Sequence, residues 1–110
     1  KIVTTFPHIW GKMFDGFGTV GPLIDTDIDP KNATIRAAVN GEEYLTINSG
    51  QLAWDVYEII EWVSKVVTLN PGDLISTGAP PGFDQVVINP GDTMTVTIDG
   101  IGAIESSIRK

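Results

Sequence analysis

The residues of this chain that could do chemistry are few and lie in two short segments. Lys12 falls within a stretch rich in glycine and aromatic residues, and Ser76-Thr77-Gly78 forms a second stretch of small residues. A lysine held beside apolar groups can neutralise a substrate carboxylate or an enolate. Two hydroxyls with flexible backbone amides suit an anionic oxygen. On residue chemistry alone, Lys12 and Thr77 are candidate site residues. The alternatives are that Lys12 is a solvated surface lysine and that Ser76-Thr77-Gly78 is an ordinary turn.

Other signals for a site are weaker. His8 is the only histidine, and a lone histidine among apolar residues is more often packed or exposed than catalytic. Asp25, Asp27 and Asp29 alternate as at the start of a calcium loop, but the later glycine and glutamate of that loop are missing. We therefore expect a solvated turn there. The chain has no cysteine, which excludes disulfides, thiolate metal sites and cysteine nucleophiles.

Length and charge limit the classes of function. The 110 residues are 42% hydrophobic and 19% charged, which predicts one globular domain at most. Seven basic and 14 acidic residues give a net charge of −7 without a basic cluster, which argues against a nucleic-acid partner. No apolar run approaches the roughly 18 residues of a membrane span, so we expect no membrane partner and a cytoplasmic location.

The elements that must position these residues are mostly strands. Residues 33–39 alternate with strand period, and Asn40-Gly41 is a strong hairpin signal because both residues tolerate positive φ. The return strand is predicted over 44–47. Residues 93–98 and 101–106 predict a second hairpin around Asp99-Gly100. With about six short strands around one helix, we predict an α+β, mainly β fold with mostly antiparallel pairing.

One helix is predicted over residues 52–67, with Asn48 or Ser49 as its cap and Glu61–Lys65 as an i,i+4 pair. Its apolar stripe is Leu52, Val56, Ile59, Ile60, Val63 and Val67. Trp54, Tyr57 and Trp62 enlarge the apolar surface and could belong to the core or contact a second subunit or another domain. The sequence Asn-Pro-Gly-Asp occurs at 70–73 and at 89–92, and each copy predicts a turn that leads into a strand.

Taken together, seven short motifs resemble the fumarylacetoacetate hydrolase family in their order and spacing. They are Gly11-Lys12-Met13-Phe14-Asp15-Gly16-Phe17, Val20-Gly21-Pro22, Val39-Asn40-Gly41-Glu42, Leu69-Asn70-Pro71-Gly72-Asp73, Ile75-Ser76-Thr77-Gly78-Ala79-Pro80-Pro81-Gly82, Pro90-Gly91-Asp92 and Ile98-Asp99-Gly100-Ile101-Gly102. The resemblance covers nearly the whole chain from Gly11. It implies that residues 1–110 are the C-terminal portion of a single catalytic domain, a mixed β-roll with few helices.

The resemblance also implies a reaction. Members of this family use Mg²⁺, or Mn²⁺ or Ca²⁺, to stabilise an enolate while a C–C bond of an acylpyruvate or similar 2-oxo acid breaks. Lys12 matches the family's active-site lysine, and Thr77 matches the threonine that binds the substrate carboxylate. The expected metal ligands, a Glu-x-Glu pair and an aspartate, would lie upstream of Lys1. The upstream half of the same protein and a second copy in a homodimer are the expected partners.

The sequence departs from the family pattern at three positions and leaves alternatives open. Met13 stands where serine is usual, Ala79 where threonine is frequent, and Gly16 where the naming hydrolases have threonine. These departures weaken the transfer of that exact hydrolase activity. Decarboxylation or isomerisation of a 2-oxo-diacid fits the same lysine and metal. A different class of function is a non-catalytic fragment that dimerises through its exposed aromatic residues.

Overall fold

The chain folds around one antiparallel sheet with one α-helix beside it. The computed structural model describes residues 13–79 and 86–109. Its elements are strands β1 (Thr34–Val39) and β2 (Glu42–Asn48), a short 3-10 helix (Ser49–Gln51), helix α1 (Val56–Ser64), and strands β3 (Thr93–Ile98) and β4 (Gly102–Ser107). The strand order is β2-β1-β3-β4. All three pairings are antiparallel, which confirms the predicted α+β, mainly β class.

The described residues form fewer strands than the six or so predicted. Four strands lie within 13–79 and 86–109, and residues 74–79, which follow the first Asn-Pro-Gly-Asp turn, do not pair with any of them. Apolar runs of this length cannot be assigned to a ladder from periodicity alone, because a strand also needs a neighbour with free backbone groups.

Both predicted hairpins are confirmed. Asn40 and Gly41 take φ values of 51° and 83°, so β1 and β2 are joined by a two-residue turn of type I′. A bulge between Ala37 and Ala38 shifts the register and leaves Tyr44 without a partner on β1. At the second hairpin the Ile101 N–H donates to the Ile98 carbonyl at 3.0 Å and closes the turn into β4.

The sheet has one apolar and one polar face. Because directly paired residues share a face, the register places these aliphatic side chains together: Ile35, Ala37, Leu45, Ile47, Met94, Val96, Ile98 and Ile104. The other face is rich in threonine, and there Arg36 pairs with Asp99 and lies 3.8 Å from Glu43. Ala37, in the middle of β1, is 7% exposed and is the buried apolar residue of the described part.

The segment before β1 lies against β4. The Thr19 and Ser106 hydroxyl oxygens lie 3.2 Å apart. Pro22 packs against Gly102, because a Cβ atom added to Gly102 would lie 3.3 Å from Pro22 Cγ. This segment therefore lies along β4, the edge strand of the sheet. The rest of the sheet and α1 bury little, since no large side chain among the described residues is fully enclosed.

Helix α1 is shorter than predicted and starts at a different cap. Asp55 is its N-cap: the carboxylate accepts the Tyr57 and Glu58 N–H groups at 2.9 Å, and the Glu58 carboxylate accepts the Asp55 N–H at 2.8 Å. This reciprocal arrangement is a capping box. Asn48 instead caps the short 3-10 helix, where its side chain accepts the Gly50 N–H at 2.9 Å. The prediction of Asn48 or Ser49 as the cap of the α-helix was therefore wrong.

The predicted Glu61–Lys65 pair on α1 is confirmed, with Nζ and Oε1 2.6 Å apart. No helix in the described ranges has the length and apolar character to cross a membrane.

Candidate functional site

An open groove of about 230 Å³ lies between α1 and the segment that follows it. Val56, Ile59 and Ile60 line it from the helix, where the i, i+3, i+4 spacing puts them on one face. The opposite side is lined by Asp73, Ile75 and Thr77, three alternate residues of a single segment. The groove therefore lies between one face of the helix and alternate residues of the segment that follows it. It brings the predicted site residue Thr77 beside the aliphatic stripe predicted for the helix.

Thr77 lies in this groove with its side chain accessible to solvent. It is exposed, so its hydroxyl can donate a hydrogen bond to a ligand oxygen and accept one in return. Its neighbour Ser76 is also exposed, but it does not line the groove. Of the two hydroxyls in this segment, Thr77 lines the groove and Ser76 does not.

Asp73 is a groove residue that the sequence analysis treated only as part of a turn. Its N–H donates to the Asn70 carbonyl at 3.0 Å, and its Oδ2 accepts the Asn70 N–H at 2.7 Å. The turn therefore holds the carboxylate in place and leaves Oδ1 without a bond inside the turn. The signal that could have found Asp73 is the alternation 73, 75, 77, which places it on the same side as Thr77.

The N-terminus of α1, next to Val56, is occupied by a carboxylate of the chain itself. Lys31 Nζ lies 2.6 Å from Asp55 Oδ2 and 5.2 Å from the centre of the Tyr57 ring. The hydrogen bond from Lys31 and the N–H groups of Glu58 and Tyr57 hold the pKa of Asp55 below its usual range. Helix N-termini attract anions, but here Asp55 already satisfies the amides of the first turn.

A second hollow, about 340 Å³ in volume, lies on α1 and is lined by Trp54, Ile59 and Trp62. The two indoles are 55% and 57% exposed, so they do not form a core within the described part of the chain. Ile59 borders both hollows. The apolar surface of the helix therefore extends from the Thr77 groove to the tryptophans.

Two candidates from the sequence, Lys12 and His8, lie outside the described residues. The structure gives no distance between Lys12 and Thr77, and the pairing of these two residues stays a prediction.

The segment that contains Asp25, Asp27 and Asp29 forms a turn, as predicted. Asp25 Oδ1 accepts the N–H groups of Asp27 and Ile28 at 2.7 and 3.0 Å, and Asp29 Oδ1 accepts the Lys31 N–H at 2.9 Å. Across residues 13–79 and 86–109, no three histidine, aspartate or glutamate side chains group together so as to hold a metal ion.

Comparison with known proteins identifies the class. The family model for the fumarylacetoacetate (FAA) hydrolase C-terminal part matches residues 3–109, so the chain belongs to the fumarylacetoacetate hydrolase family. The resemblance drawn from the sequence motifs is thereby confirmed.

Two relatives show how much of a protein this chain represents. An uncharacterized protein of Methanocaldococcus jannaschii is 43% identical over 98 residues, which cover 89% of this chain and 40% of that protein. The mitochondrial oxaloacetate tautomerase of Xenopus laevis is 41% identical over 106 residues, which cover 89% of this chain and 33% of the tautomerase. The chain thus spans less than half the length of each of these two relatives.

Solved structures share the fold. The 5-carboxymethyl-2-hydroxymuconate delta-isomerase of Mycobacterium smegmatis aligns with a TM-score of 0.81 at 40% identity, over 88% of this chain and 38% of the isomerase. The maleylpyruvate hydrolase of Sphingobium sp. SYK-6, in complex with manganese (II) ion and pyruvate, aligns with a TM-score of 0.80 at 32% identity, over 87% of this chain and 37% of the hydrolase. The chain therefore belongs to a family whose members include a tautomerase, an isomerase and a hydrolase.

Proposed function

We propose that this chain is part of an enzyme that cleaves a C–C bond of an acylpyruvate or related 2-oxo acid. The observation that carries the proposal is the position of Thr77, whose accessible hydroxyl lies in a groove with otherwise largely aliphatic walls. In this arrangement Thr77 donates a hydrogen bond to the substrate carboxylate. The family relationship and the pyruvate in the related maleylpyruvate hydrolase support this assignment.

Lys12 is the proposed charge-stabilising residue. Hydrolysis of an acylpyruvate adds water to the acyl carbonyl, and the C–C bond then breaks with its electron pair left on the pyruvate enolate, which takes up a proton. An ammonium group placed beside the enolate oxygen would stabilise the negative charge that develops there. Thr77 would hold the carboxylate end in place while this charge forms.

A divalent cation is part of the proposal, with its ligands outside the described residues. Mg²⁺, Mn²⁺ or Ca²⁺ would supply Lewis-acid stabilisation of substrate oxygens when bound. The manganese ion of the related hydrolase supports a metal of this kind. Among the described residues no three metal-ligating side chains group together, and we assign no step of the reaction to the metal. The proposed partners of this chain are the remainder of the catalytic domain, which would carry the metal ligands, and a second copy in a homodimer. The proposed location of the enzyme is the cytoplasm.

A second reaction type uses the same residues. The relatives named as a tautomerase and as an isomerase favour tautomerisation or isomerisation, and decarboxylation of a 2-oxo-diacid also proceeds through an enolate. A substrate panel with acylpyruvates, oxaloacetate and a dienoic oxo-diacid would separate these reactions. An alternative of another class is a dimerisation module without catalysis. The exposed side chains of Trp54 and Trp62 are the observation that supports it.

The test is a set of substitutions in the complete protein that contains this chain. We expect Thr77→Ala to raise KM for the best acylpyruvate and to lower kcat/KM at least about tenfold, because a bond to a charged carboxylate is lost. We expect Thr77→Ser, which keeps the hydroxyl, to recover most of that loss. Lys12→Ala should lower kcat at least about tenfold with little change in unfolding.

Ser76→Ala is the matched control, since Ser76 is a neighbouring exposed hydroxyl outside the groove. Kinetics of the Thr77 and Lys12 variants that match those of the control would refute the assigned roles. A protein that forms dimers and turns over no member of the substrate panel would favour the dimerisation module.

A further inference from the structure

Asn40 is the one asparagine of this chain that a glycine follows. The other four asparagines precede alanine, serine or proline, at positions 32, 48, 70 and 89. A glycine carries no side chain that would hinder an attack by its backbone nitrogen on the amide carbon of the preceding residue. Asn40 and Gly41 are both exposed, so water reaches them. Since asparagine is among the thermolabile residues, this pair is a candidate site of chemical modification.

The reaction at such a pair is deamidation, and its only co-reactant is water. The Gly41 nitrogen forms a bond to Asn40 Cγ and gives up its proton, and the side-chain nitrogen leaves with that proton as ammonia. The succinimide ring that results takes up one water at either of its two carbonyls, which breaks one C–N bond of the ring. The product is aspartate or isoaspartate, according to the carbonyl that is attacked.

Two hydrogen bonds hold the Asn40 side chain in the folded protein, and they act on the reaction in opposite ways. Its Nδ2 donates to Asp92 Oδ1 at 2.8 Å, and its Oδ1 accepts the Thr93 N–H at 3.0 Å. The bond to the Asp92 carboxylate is charge-assisted and holds the nitrogen that has to leave. The Thr93 N–H would stabilise the negative charge that develops on Oδ1 during the attack. The Asp92 carboxylate is therefore the group that protects Asn40.

The product of the reaction cannot restore the bond to Asp92. Deamidation replaces Nδ2, which donates to Asp92 at 2.8 Å, by an oxygen of a second carboxylate. Two ionised carboxylates have no proton to share between them, and their like charges repel. Isoaspartate would also add a backbone carbon to the two-residue turn between β1 and β2, which sets the register of that hairpin. Either product therefore removes the side-chain link between this hairpin and the 89–92 turn.

We infer that Asn40 is a deamidation site, that Asp92 slows the reaction in the folded protein, and that deamidation permanently breaks the side-chain link between the β1–β2 hairpin and the 89–92 turn. Each opening of the link exposes Asn40 to the reaction, and each reaction leaves the link open. The inference does not depend on the proposed function, because neither Asn40 nor Asp92 lines the Thr77 groove.

The first test follows deamidation of the complete protein during incubation at mildly alkaline pH, by mass spectrometry of the peptide that contains Asn40. In the wild-type protein we expect slow modification that is faster at Asn40 than at the other four asparagines. Asp92→Ala should speed the modification of Asn40 at least about tenfold, because a hydrogen bond to a charged group is lost. Asp92→Asn, which keeps an acceptor oxygen, should recover much of the protection.

Asp73→Ala is the matched control for Asp92→Ala. The Asp73 and Asp92 carboxylates each accept the N–H of the asparagine three residues earlier at 2.7 Å, so both variants lose the same bond within their turn. The bond to the Asn40 amide is made by Asp92. Asp73→Ala should therefore leave the rate at Asn40 unchanged. Equal acceleration by both variants would mean that loosening of the chain, and not the Asp92 bond, controls the reaction.

The second test introduces the product directly. Asn40→Asp should lower the urea concentration at the midpoint of unfolding of the complete protein, because the bond to Asp92 is replaced by a pair of like charges. Asn32→Asp is the control with the same change of charge. Asn32 Oδ1 accepts the Asn48 side-chain amide at 3.0 Å, and an aspartate oxygen keeps this bond. Its midpoint should stay close to that of the wild-type protein.

Each part of the inference can be overturned separately. An Asn40 that stays unmodified in Asp92→Ala would show that it is not a deamidation site. Equal rates at Asn40 in the wild-type protein and in Asp92→Ala would remove Asp92 as the protecting group. Equal urea midpoints of Asn40→Asp and Asn32→Asp would show that the modification leaves the link between the hairpin and the turn intact.

Discussion

The two Asn-Pro-Gly-Asp turns have the same sequence and the same local geometry. In each, the aspartate N–H donates to the asparagine carbonyl at 3.0 Å, and the aspartate Oδ2 accepts the asparagine N–H at 2.7 Å. Gly72 and Gly91 take φ values of 96° and 100°, the positive φ that the third residue of a type II turn requires. The local sequence therefore determines the turn itself in both places.

The surroundings of the two turns differ. At 89–92 the second oxygen of Asp92 accepts the Asn40 side-chain amide at 2.8 Å, and the Asn40 side-chain oxygen accepts the Thr93 N–H at 3.0 Å. The Gly91 N–H also donates to the Ile108 carbonyl at 2.8 Å. At 70–73 the turn is exposed and Asp73 faces the Thr77 groove. One motif thus connects the two hairpins, and its copy forms a wall of the candidate site.

The most damaging change to the connecting turn should be Asn40→Ala. Asn40 has a φ of 51°, which costs alanine about 1–2 kcal/mol, and its side chain makes two hydrogen bonds to the 89–92 turn and β3. We expect the free energy of unfolding to fall by about 2 kcal/mol, measured by urea denaturation of the complete protein. Asn70→Ala, in the other turn, should cost less. An equal or larger loss in Asn70→Ala would contradict the difference between the turns.

Substitution of the turn glycines should lower stability less than Asn40→Ala does, and by similar amounts in the two turns. Gly72→Ala and Gly91→Ala should each cost about 1 kcal/mol of stability, because alanine is strained at positive φ. Their effects on catalysis should differ: Gly72→Ala displaces Thr77 and should lower kcat/KM for the best acylpyruvate. Gly91→Ala should leave that kcat/KM as it is. Kinetics that change in Gly91→Ala alone would show that the site lies at the other turn.

The smallest effect concerns pH. The bond from the Asn40 amide, together with the Asn89 N–H, lowers the pKa of Asp92 below its usual value of 3.8. The stability that Asp92 contributes is therefore present above pH 3.8 and is lost as the pH falls through the lowered pKa. We expect Asp92→Asn to make the midpoint of thermal unfolding less dependent on pH in this acid range. A pH profile identical to that of the wild-type protein would remove Asp92 from the link between the hairpins.

The failures of sequence reasoning have particular physical causes. The helix was predicted to start at Leu52 because the apolar period continues upstream, yet Asp55 and Glu58 carried a capping-box signal that marks the observed start. The strand predicted after the 70–73 turn is not found at residues 74–79, because they have no strand to pair with in the described part. Asp73 was missed as a groove residue because its turn explained it fully.

The sequence by itself determined the turns, the two hairpins, the apolar stripe of α1 and the family, since these depend on φ preferences and on spacings within a few residues. Tertiary structure alone decided which Asn-Pro-Gly-Asp copy connects the hairpins, because Asn40 and Asp92 are 52 residues apart. It also decided that α1 meets Asp73 and Thr77 in one groove and that Lys31 holds the helix cap. Contacts of this range depend on how the chain packs, and no local pattern records them.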